Sequence, residues 1–402
     1  MADMKSHTGG SRTAPTIALL LALVALLLAA CGGGGGGTVP SPNPGAGLDP
    51  QTLVVKKAFT TGAAPNRMVV YGKFGYVANY SDNNVEIIDL DSMTESARFA
   101  LPVNSGPSEV EVVAGIGYAV CNGNNTLAFF NPTTGEQKYP TLDISYGGAM
   151  FQGPGQMAVS GSKAYIPNAN VTSYAPFDYA PGSVTVVNLT TRTVTGHIAT
   201  TFFQPLFAIS YGGLVYVVEA GKTGFDASFN VTVATDGGID VIDPATDAIV
   251  GNIDLGKSAA GRPAVVAGTP FAYVGTSMGG FIMKVNLDAK TVVRGVDDPI
   301  RLTSARTFIS SLAATPDGHL LATSFNTDEV YVIDTATDAV AGPPFSCPFS
   351  LKVSADLVGG AADIAIRDMQ AFPGGGPNVF ILNGVANSLS TINLRGYLGF
   401  PH

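Results

Sequence analysis

Residues 76–89 read Tyr76-Val77-Ala78-Asn79-Tyr80-Ser81-Asp82-Asn83-Asn84-Val85-Glu86-Ile87-Ile88-Asp89. Two short β-forming runs flank a polar turn, and the second run closes on an Asp. Working outward, the second run returns before Asn131, Asn188, Asp243, Asn286, Asp334 and Asn393, as in Ile239-Asp240-Val241-Ile242-Asp243. Asn and Asp suit that place because their side chains bond the backbone two residues on. The first run returns as Tyr118-Ala119-Val120-Cys121, Tyr165-Ile166-Pro167-Asn168, Tyr216-Val217-Val218-Glu219, Tyr273-Val274-Gly275-Thr276, Leu320-Leu321-Ala322-Thr323 and Phe380-Ile381-Leu382-Asn383. A third phrase lies upstream, as in Pro65-Asn66-Arg67-Met68-Val69-Val70, and a fourth downstream, as in Ile249-Val250-Gly251-Asn252-Ile253.

Four short strands per unit, repeating every roughly 40 to 60 residues, describe the blades of a propeller. The sequence therefore predicts an all-β fold: a seven-bladed β-propeller of four-stranded antiparallel blades. The last unit runs out after its third strand at Asn393, while Thr52-Leu53-Val54-Val55-Lys56-Lys57-Ala58-Phe59 reads like a spare fourth strand. The N-terminal strand is expected to complete the last blade, which removes the sheet edges that an open ring would expose. The copies resemble the YVTN-repeat β-propellers of bacterial and archaeal cell-surface and periplasmic proteins. The resemblance covers about Thr52 to Leu398 and is strongest at Tyr76–Asn79, while Leu320 stands where blade six should carry Tyr.

Upstream of the repeats, Lys5 and Arg12 precede an uncharged run of Leu, Ala and Val from Ile17 to Ala30. That order describes an export signal. Leu28-Ala29-Ala30-Cys31 resembles the lipobox of bacterial lipoproteins, which implies cleavage before Cys31 and acylation of its thiol and amine. Several acyl chains on one residue anchor stably. The plainer alternative is a cleaved signal with a chance Cys. The run Gly32 to Gly37 and the Pro-rich stretch after it form a spacer. The expected organisation is a signal peptide over 1–30, a tether over 31–51 starting at lipidated Cys31, and the propeller over 52–402. This places the chain in the cell envelope, with the outer membrane or cell surface favoured because Gly32, not Asp, follows the Cys.

Charged residues are only 13% of the chain and Gly numbers 49, which fits strands rather than helices. A net charge of −9 speaks against nucleic acid as a partner. Besides Cys31 there are Cys121 and Cys347, expected on blades far apart and read as free or buried thiols. His7, His197, His319 and His402 do not cluster with Cys, Asp or Glu at metal-ligand spacing, and there is no Trp. No metal, no cofactor and no catalytic constellation is expected.

Two places remain for a ligand. Innermost strands line the axis, and aligning the third phrase puts Arg67, Glu109, Gln156, Phe207, Val265, Ser311 and Asp363 at equivalent positions. Arg67, Glu109, Gln156 and Asp363 form a candidate polar ring at the channel mouth, or simply pair with one another. The second place is a pair of insertions, Asn168 to Gly182 in blade three and Ala220 to Gly237 in blade four. They carry Tyr174, Phe177, Tyr179, Phe225 and Phe229, on the face that also receives Tyr146, Phe151, Phe202, Phe203 and Gln204 from the crossings between blades. Aromatic residues on loops dominate binding hot spots; long loops also need a private core, so the rings have a packing role to fill. Asp178, Asp226 and Asp236 match no known calcium-loop spacing.

The function expected from these features is a lipid-anchored, monomeric binding module for a protein, peptide or glycan. The alternative is a propeller hydrolase of the lactonase type working at the channel mouth, and a third reading is a coat component. Fold alone does not choose among them.

Overall fold

The computed structural model describes residues 54–147, 151–174, 177–226, 231–277, 279–302, 308–341, 349–352, 359–367 and 377–394. The signal, the tether and Cys31 lie outside the described residues, as do Phe229, Cys347 and the side chain of Tyr174.

The repeats fold as seven antiparallel sheets, each with a four-strand path, and no helix occurs among the described residues. Blade 1 runs Pro65–Tyr71, Phe74–Asn79, Asn84–Asp89 and Thr94–Ala100, from the axis outward. The middle strands are buried on both faces, whereas the outermost is largely exposed. That explains the unbroken apolar runs of the repeat: a strand sandwiched between two neighbouring blades has no wet side. Seven apolar clusters hold the ring, one at each blade-to-blade interface.

The N-terminal strand, Val54–Thr60, pairs with Ser388–Ile392 of blade 7, joining Val54 to Ile392 and Thr60 to Ser388. A bulge near Lys57, whose φ is 54°, interrupts the pairing. Blade 5 departs from the plain pattern: its fourth strand, Thr291–Arg294, breaks at Gly295–Pro299 and resumes as Ile300–Arg301. Pro299 has no N–H to give a ladder. In blade 6 Phe349–Ser350 likewise pairs with the third strand.

The repeat's marker residues have separate jobs. The Asn or Asp after the third strand accepts from the turn backbone, as Asp89 does from Asp91 (3.0 Å) and Asp334 from Ala336 (2.8 Å). The Tyr of the second strand reaches the next blade's outer turn. Tyr76 donates to Pro132 O at 2.9 Å, Tyr165 to Asp247 at 2.6 Å, Tyr216 to Leu287 O at 3.0 Å and Tyr273 to Asp338 at 2.7 Å.

Strand register corrects two sequence alignments. In blade 6 Leu321, paired with Val332, holds the place that Tyr76, paired with Ile87, holds in blade 1, so Leu320 is one residue off. Leu321 packs with Ile392 and Leu394 of blade 7. The fourth strand of blade 7 comes from the N-terminus, so no third-to-fourth turn exists there for a Tyr to reach. In blade 5 the residue equivalent to Arg67 is Arg262, not Val265: Pro263 pairs with Val274 as Met68 pairs with Val77.

Candidate functional site

Two sites share the face on which chains cross between blades. First strands begin on this face, so the residue at the register of Arg67 in each blade lies near the channel mouth. The ring of such residues is Arg67, Glu109, Gln156, Phe207, Arg262, Ser311 and Asp363.

Arg67 of blade 1 donates to Glu109 of blade 2 at 2.7 Å and to Asp363 of blade 7 at 3.0 Å. Asp363 also accepts from Ser311 at 2.7 Å and from the Met68 N–H at 2.8 Å. Arg262 reaches across the ring from blade 5 and lies 3.9 Å from Glu109 and 3.8 Å from Asp363. Side chains therefore occupy the axis at this level. Burial alone would raise the Asp363 carboxyl, but Arg67, Arg262 and its two hydrogen-bond donors outweigh it and hold the pKa below the usual range. Burial also works against the charge of Arg67, and the surrounding carboxylates more than offset it. Arg262 is pushed down, first by burial and then by Arg67.

Glu111 sits one step deeper, where other blades carry Val69, Ala158, Ile209, Ala264, Ala313 and Ala365 at the same register. Its side chain is 25% exposed and lies 3.7 Å from Arg67. Burial drives its pKa up to about 7 against the pull of Arg67. Of the four channel residues read from sequence, three meet in this cluster, and Gln156 lies beside Phe207 in a parallel bridge between blades 3 and 4. Sequence reading missed Arg262 and passed over Glu111, two residues beyond Glu109.

The second site is the pair of insertions. Each forms a hairpin: Val171–Tyr174 with Phe177–Tyr179 in blade 3, and Thr223–Phe225 with Val231–Val233 in blade 4. The hairpins pack on each other. Phe177 meets Phe225 edge to face at 5.7 Å, Lys222 pairs with Asp178 at 2.6 Å, and Tyr179 shares a hydrogen bond with Thr223 at 3.3 Å. Thr223 also donates to Gln204 at 2.7 Å, and Lys222 lies 4.5 Å above the Phe203 ring. The Phe202 ring covers Gly238, where an added Cβ would stand 2.1 Å from it, so a larger residue would expel the ring. Tyr179 is buried, Phe177, Phe202 and Phe203 are half-buried, and Phe225 is 36% exposed. Beside them Tyr146, 47% exposed, stacks on His197 at 3.7 Å.

Beneath the blade 4 hairpin sits a buried acid pair. Asp240 accepts the Thr201 N–H at 2.7 Å and Glu219 accepts the Phe202 N–H at 2.6 Å. Burial first, then the neighbouring Asp240 charge, pushes Glu219 well above the usual carboxyl range. Among the described residues no three His, Cys, Asp or Glu gather as a metal site. Cys121, at the blade 2 place of Asn79, is a buried free thiol that burial pushes up to about 12.

No family model matches the chain, and no curated protein matches it. Among solved structures it is similar to the hydrazine synthase of Kuenenia stuttgartiensis, with a TM-score of 0.60 at 13% identity over 82% of this chain and 95% of that one. It is also similar to a streptogramin B lyase, with a TM-score of 0.58 at 9% identity over 85% of this chain and 97% of the other. Both are β-propeller proteins, and at such identities the likeness carries the fold alone.

Proposed function

We propose that this chain is a YVTN-type propeller lipoprotein of the cell envelope, held by lipid on Cys31, which binds a protein, peptide or glycan through the face bearing the two hairpins. It works as a monomer on the outer membrane or cell surface. The observation that carries this reading is the joining of the hairpins of blades 3 and 4, through Phe177–Phe225 and Lys222–Asp178, into one raised aromatic block. Blade 1 connects the same two strands by the short turn Tyr80–Asn83. Long loops on a rigid scaffold commonly carry recognition.

Capture of envelope components by the full chain tests it. Phe225→Ala and Tyr146→Ala should each lose the partner, with Tyr174, Phe177 and Phe229 as further positions. Undiminished capture by the double variant rejects the face. The anchor has its own test, because palmitate labelling should vanish in Cys31→Ser.

One observation favours the hydrolase alternative: Glu111, poised in the neutral range beside Arg67, suits proton transfer to or from a bound ester. A lactone panel turned over by the chain and left untouched by Glu111→Gln would establish it. Absence of turnover removes it.

A further inference from the structure

Tyr146 is 47% exposed on the loop-bearing face, with its ring stacked on His197 at 3.7 Å and 14°. A chain of hydrogen bonds joins the same two residues through the interior. The Tyr146 N–H donates to Gln152 Oε1 at 2.8 Å. Gln152 Nε2 donates to the Ile144 carbonyl at 3.0 Å and to Asn168 Oδ1 at 2.7 Å. Asn168 Nδ2 donates to Thr185 Oγ1 at 3.0 Å and to the Ile166 carbonyl at 3.2 Å. Thr185 Oγ1 meets His197 Nδ1 at 3.2 Å. Gln152, Asn168 and Thr185 are all buried.

The backbone fixes the direction of this chain. An N–H only donates and a carbonyl only accepts, so Tyr146 and Ile144 orient the Gln152 amide, and Gln152 with Ile166 orients Asn168. Thr185 therefore accepts from Asn168, and its one hydrogen goes to His197 Nδ1. The ring must accept there, which makes it the neutral form with its hydrogen on Nε2. A second proton would set Nδ1–H against the Thr185 hydrogen. Turning that hydrogen away takes a buried hydroxyl from its acceptor, which costs free energy. At the same places blade 1 holds a carboxyl and a guanidinium, Glu86 and Arg98. Blade 3 puts a neutral hydroxyl and a titratable ring there.

The strands Ser183–Asn188 and Thr193–Ala199 bring no charged side chain to His197, and Asn168 is neutral. The crossing brings the Tyr146 phenol, while Asp143 at its head accepts the Ser145 N–H at 2.8 Å. Burial lowers the His197 pKa from its ordinary 6.5. A stacked imidazolium gains attraction from the phenol ring, but only in the position that opposes Thr185.

We propose that His197 is an acid-operated latch on the binding face. Neutral, it holds Tyr146 in place; protonated, it leaves Thr185, frees Tyr146 and releases the partner. The proposal rests on the hairpin face being the binding side and supplies its regulation.

NMR of the full chain in detergent, with labelled His and Tyr rings, reads the latch without a partner. His197, assigned by its loss in His197→Phe, should carry its hydrogen on Nε2, titrate below 6.5 and move the Tyr146 signals with it. Thr185→Val removes the opposing hydrogen and should raise the His197 midpoint by about half a unit or more. A midpoint at or above 6.5, a hydrogen on Nδ1, an unmoved midpoint in Thr185→Val, or Tyr146 signals that ignore the titration overturns the proposal. Envelope extract bound to the immobilised chain at neutral pH gives the second readout. Its bound component should elute from wild type as pH falls through the His197 midpoint and stay on His197→Phe, which stacks without titrating. Retention by wild type after full protonation of His197 overturns the release. Absence of capture at every pH, with Tyr146 still following His197, removes the binding face and leaves the latch standing.

Discussion

Blade 1 and blade 4 solve one problem in two ways. In both, the chain entering the blade must have its N–H groups accepted by buried side chains. In blade 1 Glu86 accepts from Gly62 at 3.2 Å, and Asn79 and Arg98 donate to Glu86 at 3.4 and 3.0 Å. Burial raises Glu86 too, but the Gly62 N–H, Arg98 and Asn79 all work against that rise. In blade 4 the places of Asn79, Glu86 and Arg98 are taken by Glu219, Asp240 and Asn252. The crossing is still held, yet the amide and guanidinium donors are gone. Glu219 Oε1 and Asp240 Oδ1 find no donor from the protein. Burial and the Asp240 charge favour the neutral form of Glu219, whose proton is the hydrogen available to this pair. The task stays the same from blade to blade, while the source of the missing hydrogen changes from an amide to an acid. Blade 4 thereby gains a stronger pH dependence than blade 1, where Glu86 is also raised but against the Gly62 N–H, Arg98 and Asn79.

The largest expected effect comes from removing the acceptor. Asp240→Ala strips the Thr201 N–H and Glu219 of their partner and should cost about 2–4 kcal/mol in urea unfolding. A cost under about 1 kcal/mol would mean that the crossing is not pinned there. Next is the blade that has no outer turn to reach. Leu321→Tyr forces a hydroxyl into the apolar interface of blades 6 and 7, at a cost of about 1–3 kcal/mol.

Third is the Glu219 proton. Glu219 has a higher pKa folded than unfolded, so its contribution is most favourable at or below its ordinary pKa of 4.5 and is lost as pH rises toward the folded value. Glu219→Gln keeps an acceptor for Phe202 and a donor for Asp240 without titrating. It should flatten the fall in stability as pH rises above the ordinary carboxyl range, and leave the variant more stable than wild type once wild-type Glu219 is ionised. Parallel pH profiles for the two proteins would remove that proton from the account. Smallest is Tyr273→Phe, which loses one hydrogen bond while Lys284 still pairs with Asp338 at 2.9 Å; about 1 kcal/mol is expected in thermal unfolding.

Much of this architecture is legible in the sequence because the repeat marks its own phase. Tyr, Asn and the closing Asp fix which side of each strand faces which neighbour, and the spare N-terminal strand announces the seam. Reading failed where a marker is missing. Leu320-Leu321-Ala322 is apolar throughout, so nothing sets its phase, and a slip of one residue turns every side chain to the other face. In Ala260-Gly261-Arg262-Pro263 the Pro stands three places after the head position that Pro65 and Pro107 hold, so counting from it leads to Val265 and hid Arg262. The insertions were visible by length and aromatic content. That Phe177 would meet Phe225, and Lys222 meet Asp178, depends on the angle between neighbouring blades, which no local pattern encodes.

Exchanging parts between the two blades asks most directly whether the ring is a scaffold and the departures of blades 3 and 4 its working part. Replacing the blade 4 segment 220–236 with the blade 1 turn Tyr80–Asn83 should give a chain that still melts in one cooperative step and captures no envelope partner. A grafted chain that folds and retains the partner would show that recognition lies elsewhere on the molecule.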